Sequence, residues 1–182
     1  MLSRALASSI EDVRPESKYG RLLRPIGAFL NTLDATHLTL AETGEAFIWR
    51  CFQRQNPAKQ LTGVIAHSDI PGMAAAFKRS RAGRVAQAGE SPLGTSVCPW
   101  GYEELLRSLS HKLDQECATT VMVYEDDESL LVQFSLPVPL YVQMEPERFA
   151  SVNYFHEEIY SQDDIVALVA TMRSHRGSPY YR

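Results

Sequence analysis

The chain is short of the features by which most chemistry announces itself. Its 182 residues include three cysteines, Cys51, Cys98 and Cys117. They are odd in number and lack C-x-x-C spacing, which excludes a self-contained disulfide framework and a zinc ribbon. They are expected to be reduced, mostly as small core hydrophobes. No apolar run approaches the roughly 18 residues of a membrane-spanning helix. The opening MLSRALASSIEDVRPE carries too short an apolar stretch for a signal-peptide core. A soluble, cytoplasmic protein with no membrane partner is the expectation.

Nucleotide and metal signatures are missing too. No G-x-G-x-x-G lies between a strand and a helix, and GESPLG (89 to 94) lacks the Gly-Lys-Ser/Thr ending of a phosphate loop. The histidines, His37, His67, His111, His156 and His175, show neither H-x-x-x-H nor H-E-x-x-H spacing. His156-Glu157-Glu158 comes nearest to a ligand cluster, but on a strand only His156 and Glu158 share a face. A solvated strand accounts for it, and no metal or other cofactor is expected. The acidic run Glu125, Asp126, Asp127, Glu128 lacks the spaced Asp-x-Asp-x-Asp-Gly of a calcium loop and reads as a hairpin turn. Nothing marks one thiol as an activated nucleophile, so no catalytic residue is assigned.

What the chain does contain is the same text twice. YGRLLRPIGAFLNTLDATHLTLAETGEAFIWRCF (19 to 52) and YEELLRSLSHKLDQECATTVMVYEDDESLLVQFS (102 to 135) align without a gap at an offset of 83. Tyr19/Tyr102, Leu23/Leu106, Arg24/Arg107, Leu30/Leu113, Glu42/Glu125 and Glu45/Glu128 are identical, and Leu40/Val123 and Phe47/Leu130 are conservative. In each copy a helical stripe gives way to period-two alternation on either side of a charged turn. A second helix closes each copy, SDIPGMAAAFKRSRAG (68 to 83) and SQDDIVALVATMRSHRG (161 to 177). Both begin with Ser and acids and end with bases and Gly, as capped helices do. Ser161 and Asp164 stand at capping-box spacing.

The pattern predicts an α+β fold: a tandem duplication of a helix, β-hairpin, strand, helix unit, with antiparallel sheets, helices on one face and a pseudo-twofold between the copies. The predicted divisions are an N-terminal segment (1 to 16), copy one (17 to 85), a linker (86 to 98), copy two (99 to 178, with an insertion at 136 to 160) and a tail (179 to 182). In order of elements alone, with no motif behind it, this resembles the secretion-chaperone class of folds.

The charges do not repeat. Residues 17 to 85 hold ten bases and four acids, a net of +6, whereas residues 99 to 178 hold five and fourteen, a net of −9. Lys78, Arg79, Arg81 and Arg84, at the end of copy one's second helix, are the candidate contact for an anion or a partner. Aromatics to stack bases near them are few and the whole chain carries −4, which weighs against nucleic acid. The expected function is a non-enzymatic adaptor or chaperone-like protein-binding module, with a protein partner or self-association. The alternative is a small-molecule sensor or enzyme with its site between the copies.

Overall fold

The computed structural model describes residues 18–84, 94–95, 97–139, 143–144, 147–148 and 154–174. Its elements are α1 (Lys18–Thr32), β1 (Ala35–Thr43), β2 (Ala46–Gln53), β3 (Asn56–Ala66), α2 (Ile70–Arg84), α3 (Gly101–Gln115), β4 (Thr120–Glu125), β5 (Ser129–Ser135), β6 (Phe155–Ser161) and α4 (Gln162–Ser174). The strands form one antiparallel sheet in the order β3-β2-β1-β4-β5-β6. The expectation of separate sheets is thereby corrected: β1 pairs with β4 and fuses the two three-stranded meanders. The fused sheet leaves two edges, β3 and β6, rather than four.

The helices form where apolar residues recur at three and four. Tyr19, Leu23, Ile26 and Leu30 bury one stripe of α1, and Tyr102, Leu105, Leu106, Leu109 and Leu113 bury that of α3. These stripes share one apolar cluster with Ile70 of α2, Ile165 and Val169 of α4, and the inward residues of the strands. All four helices therefore cover the same face of the sheet. Both hairpins alternate as read from the sequence: Leu38, Leu40, Phe47, Trp49, Val121, Val123, Leu130 and Val132 are buried, while Arg50 is exposed and Thr39 and Gln133 are half-buried.

Helix α1 packs closely against α3. A Cβ on Gly27 would stand 2.5 Å from the Tyr102 carbonyl oxygen and 2.7 Å from Glu103 Cα, so only glycine lets the backbones meet there. Ser161 and Asp164 form the expected box: the Asp164 carboxylate accepts from the Ser161 N–H at 2.9 Å, and the Asp164 N–H donates to Ser161 Oγ at 3.3 Å. Ser68 does not cap α2 as expected, because His67–Asp69 first makes a 3-10 turn that runs into the helix. Cys51 and Cys98 are buried as small core residues, and Cys117 is exposed. It sits just past α3 at φ 55°, the left-handed position that follows many helices. Asp34, past α1, adopts the same conformation at φ 52°. Val97 and Cys98, at the end of the predicted linker, belong to the core.

Candidate functional site

Two places gather groups from both halves of the chain. The first lies inside, where α1, α3, β1 and β4 meet. Tyr19 of α1 donates its hydroxyl to Glu42 Oε2 of β1 at 2.7 Å, and Tyr102 of α3 donates its hydroxyl to Glu125 Oε2 of β4. All four side chains are buried. Burial pushes both phenols far above the ordinary tyrosine range, and the neighbouring carboxylate adds to the effect in each.

The two carboxylates are completed differently. Glu42 also meets the Lys18 ammonium at 2.7 Å and lies 3.5 Å from His67 Nε2. Glu125 accepts the Leu38 N–H at 3.1 Å. That donor is free because His37 and Leu38 form a bulge in β1 opposite Cys51, with His37 at φ 54°; the bulge releases a ladder N–H and turns it towards the carboxylate.

Next to these pairs the helices cap each other. Asp114, in the last turn of α3, accepts the N–H groups of Tyr19 and Gly20 at 2.8 and 2.9 Å. Asn31, in the last turn of α1, accepts the Tyr102 N–H at 2.8 Å. Each helix start thus borrows its cap from the far end of the other helix, satisfying N–H groups that have no partner within the helix. The ion pair of Arg24 with Glu103 at 3.2 Å and the contact of His37 Nε2 with Asp127 at 2.7 Å also join the halves. Part of the +6/−9 contrast is met within the molecule by the Arg24–Glu103 pair.

Polar as it is, the interior is stocked with groups held in their neutral or paired forms. Burial raises the Cys51 and Cys98 thiols to about 11, with the charge of Glu125 contributing to both. Thiols so raised are protonated at neutral pH and make poor nucleophiles. On β6, His156 stacks on Phe134 at 5.3 Å, while Glu158 is held by Lys112 at 2.5 Å and by the Tyr160 hydroxyl. Burial opposes both charges, but those hydrogen bonds outweigh it, raising Lys112 and lowering Glu158. Among the described residues no group of three or more His, Cys, Asp or Glu is placed to hold a metal ion.

The second place is the face of the sheet that the helices leave open. The register sets Val64, Ile48, Ala41, Met122, Gln133 and Glu157 side by side in one rank. The neighbouring rank runs Thr62, Arg50, Thr39, Tyr124, Leu131, Ile159. Large apolar side chains on this face stand in water: Ile48 is 48% exposed, Val64 67%, Tyr124 42%, Phe155 47% and Ile159 69%. Beyond Phe155 the surface dips into a shallow, open depression of ≈ 580 Å³ bordered by Thr120, Leu136, Val138 and Gln143.

The basic residues singled out from the sequence fall on one helix. Lys78, Arg79, Arg81 and Arg84 all lie on α2. Arg79 is exposed and donates to the Ala75 carbonyl; the side chains of the other three lie outside the described residues. No helix among the described residues is long and apolar enough to cross a membrane. Neither protein-family models, nor curated proteins, nor solved structures offer a match to this chain.

Proposed function

We propose that the chain is a non-enzymatic adaptor or chaperone-like protein-binding module, and that its working surface is the open sheet face built by both halves. The observation that carries this reading is the pair of neighbouring ranks that hold exposed Val64 and Ile48, and exposed Tyr124 and Ile159, on a face with no helix over it among the described residues. Contiguous exposed apolar surface on a folded chain marks an interaction site. A small-molecule site between the copies is the weaker reading. The space there is taken up by fully buried Tyr19, Leu23, Ile26, Leu30, Tyr102 and Leu106, and the Gly27 contact brings α1 against the α3 backbone.

The surface is read as the joint product of a tandem duplication about a pseudo-twofold, and the contacts between halves support that origin. Under the offset of 83, the pair Leu40↔Val123 maps onto itself, and Thr39↔Tyr124 maps onto Ala41↔Met122. The same offset relates Tyr19 and Glu42 to Tyr102 and Glu125, and Asn31 to Asp114. Val64 and Ile159 correspond at the offset of 95 found for the second helices. On this reading the insertion of copy two falls before β6, within residues 136 to 154, and copy one, linker and copy two keep the bounds drawn from the sequence.

The test is binding to a permanently unfolded client, fluorescein-labelled reduced and carboxymethylated α-lactalbumin, followed by anisotropy. The double variant Ile48→Asp, Ile159→Asp is expected to weaken binding at least about tenfold, the loss of about 1.4 kcal/mol of apolar contact. Reversal of Lys78, Arg79 and Arg81 to Glu should leave it within about twofold. A wild type that does not bind, or binding that follows the basic residues, defeats the proposal.

A further inference from the structure

We infer that the occupant of the open face is a second copy of this chain, the two six-stranded sheets stacking face to face. The inference rests on the reading of that face as a docking surface and names what docks. Its first support is size. Six strands about 4.8 Å apart, each with at least three outward residues about 6.8 Å apart along the strand, such as Thr39, Ala41 and Thr43 of β1 and Thr120, Met122 and Tyr124 of β4, make a face of roughly 29 by 20 Å, so two faces together remove roughly 1,200 Å² of surface. That clears the roughly 1,000 Å² a specific interface needs and exceeds what incidental contacts bury.

Charge is the second support. The halves differ by fifteen units of net charge, +6 against −9, yet the outward ranks of the sheet hold one base, Arg50, and one acid, Glu157. These lie on opposite sides of the face, and Glu157 accepts a hydrogen bond from Gln133 at 2.6 Å. A face of zero net charge meets its own copy without repulsion, whereas a basic or acidic client would find no counter-charge there. Both halves contribute exposed apolar groups, Ile48 and Val64 from one and Tyr124 and Ile159 from the other, so one patch serves on both copies, as an isologous contact requires. Pairing through the β3 edge is less suited, because Pro57 lacks a donor and Lys59 would have to be covered.

Sedimentation velocity over a wide micromolar range is the experiment. The wild type should sediment with twice the chain mass, and Ile48→Asp and Ile159→Asp should each return it to one chain mass while the far-ultraviolet circular dichroism is unchanged. Should the Asp variants fail to fold, cross-linking decides: Thr39→Cys, near the centre of the face, introduced into a Cys117→Ser chain, should join two chains with a short bis-maleimide, and Lys59→Cys in the same background should not. A wild type that stays monomeric throughout overturns the inference, as does a dimer that both Asp variants leave intact, or a monomer that floats with neutral phosphatidylcholine vesicles instead. A monomer that still binds the unfolded client through Ile48 and Ile159 removes the second copy and leaves the adaptor reading standing. A dimer lost in the Asp variants, with no client binding, upholds the second copy and removes the adaptor.

Discussion

Tyr102→Phe and Tyr19→Phe delete the same atom from two similar buried pairs, and they should not have the same effect. Both rings are packed from all sides, and phenylalanine keeps their shape, so neither change opens a cavity. What differs is the carboxylate left behind. Glu42 keeps the Lys18 ammonium at 2.7 Å and the nearby His67 ring. Glu125, at 1% exposure, accepts the Leu38 N–H, a neutral donor, at 3.1 Å. A hydrogen bond to a charged group contributes about 1.5–3 kcal/mol, and a buried acceptor deprived of its donor incurs the full desolvation cost. Tyr102→Phe should therefore cost about 2–3 kcal/mol and Tyr19→Phe about 1 kcal/mol. With a urea slope of about 2 kcal/mol per molar, the first lowers the unfolding midpoint by about 1 M and the second by about 0.5 M, at unchanged slope. Equal midpoints for the two variants, or a greater loss from Tyr19→Phe, would refute the reasoning that the lysine and histidine set the pairs apart.

Two further outcomes follow from the same interior. Gly27→Val places its Cβ against the backbone of α3, where nothing can turn aside; thermal unfolding should show a loss of about 1–3 kcal/mol or more, while Gly72→Ala, with open space around it, should be neutral or stabilising. Stability should also fall at alkaline pH. Cys51 and Cys98 hold their protons to about 11 when folded but release them near 9 when unfolded, so above pH 9 the unfolded chain binds fewer protons and is favoured as pH rises. Each thiol contributes about 1.4 kcal/mol per pH unit between 9 and 11. Tyr19 and Tyr102, raised further still, add the same sign above about pH 10. Urea midpoints at pH 8, 9 and 10 should drop progressively, and Cys51→Ala with Cys98→Ala should flatten the first part of the decline; a flat profile in the wild type contradicts it.

Period was the part of the fold that sequence could read. Alternation at two and recurrence at three and four assign each residue to a face, and the inward sets of all four hairpin strands came out as expected. Periodicity says nothing of which strands lie side by side, however, so the joining of the two meanders through β1 and β4 was out of reach. The reciprocal caps escaped for a different reason. Asn31 and Asp114 are not identical, and a comparison that counts identities passes over them, though both supply an acceptor oxygen at the same place on a helix. The bulge at His37 was invisible as well, since an extra residue in a strand shows only when its partner's register is known.

The open face was legible in a way that binary patterning obscures. A sheet with helices on one side and water on the other should alternate apolar and polar. Strand β2 instead reads Phe47-Ile48-Trp49, the end of β3 reads Val64-Ile65-Ala66, and β5 reads Leu130-Leu131-Val132. Consecutive apolar residues are the mark of strands covered on both faces. The helices account for Phe47, Trp49, Ile65, Leu130 and Val132, all buried, and leave Ile48 and Val64 exposed and Leu131 half-buried, with no second layer among the described residues. Drift of a solvated face would scatter such residues singly. Here the register brings Ile48 beside Val64 and sets Leu131 between Tyr124 and Ile159, so that three strands with the pattern of covered strands place their surplus apolar residues on the one face that the four helices leave open.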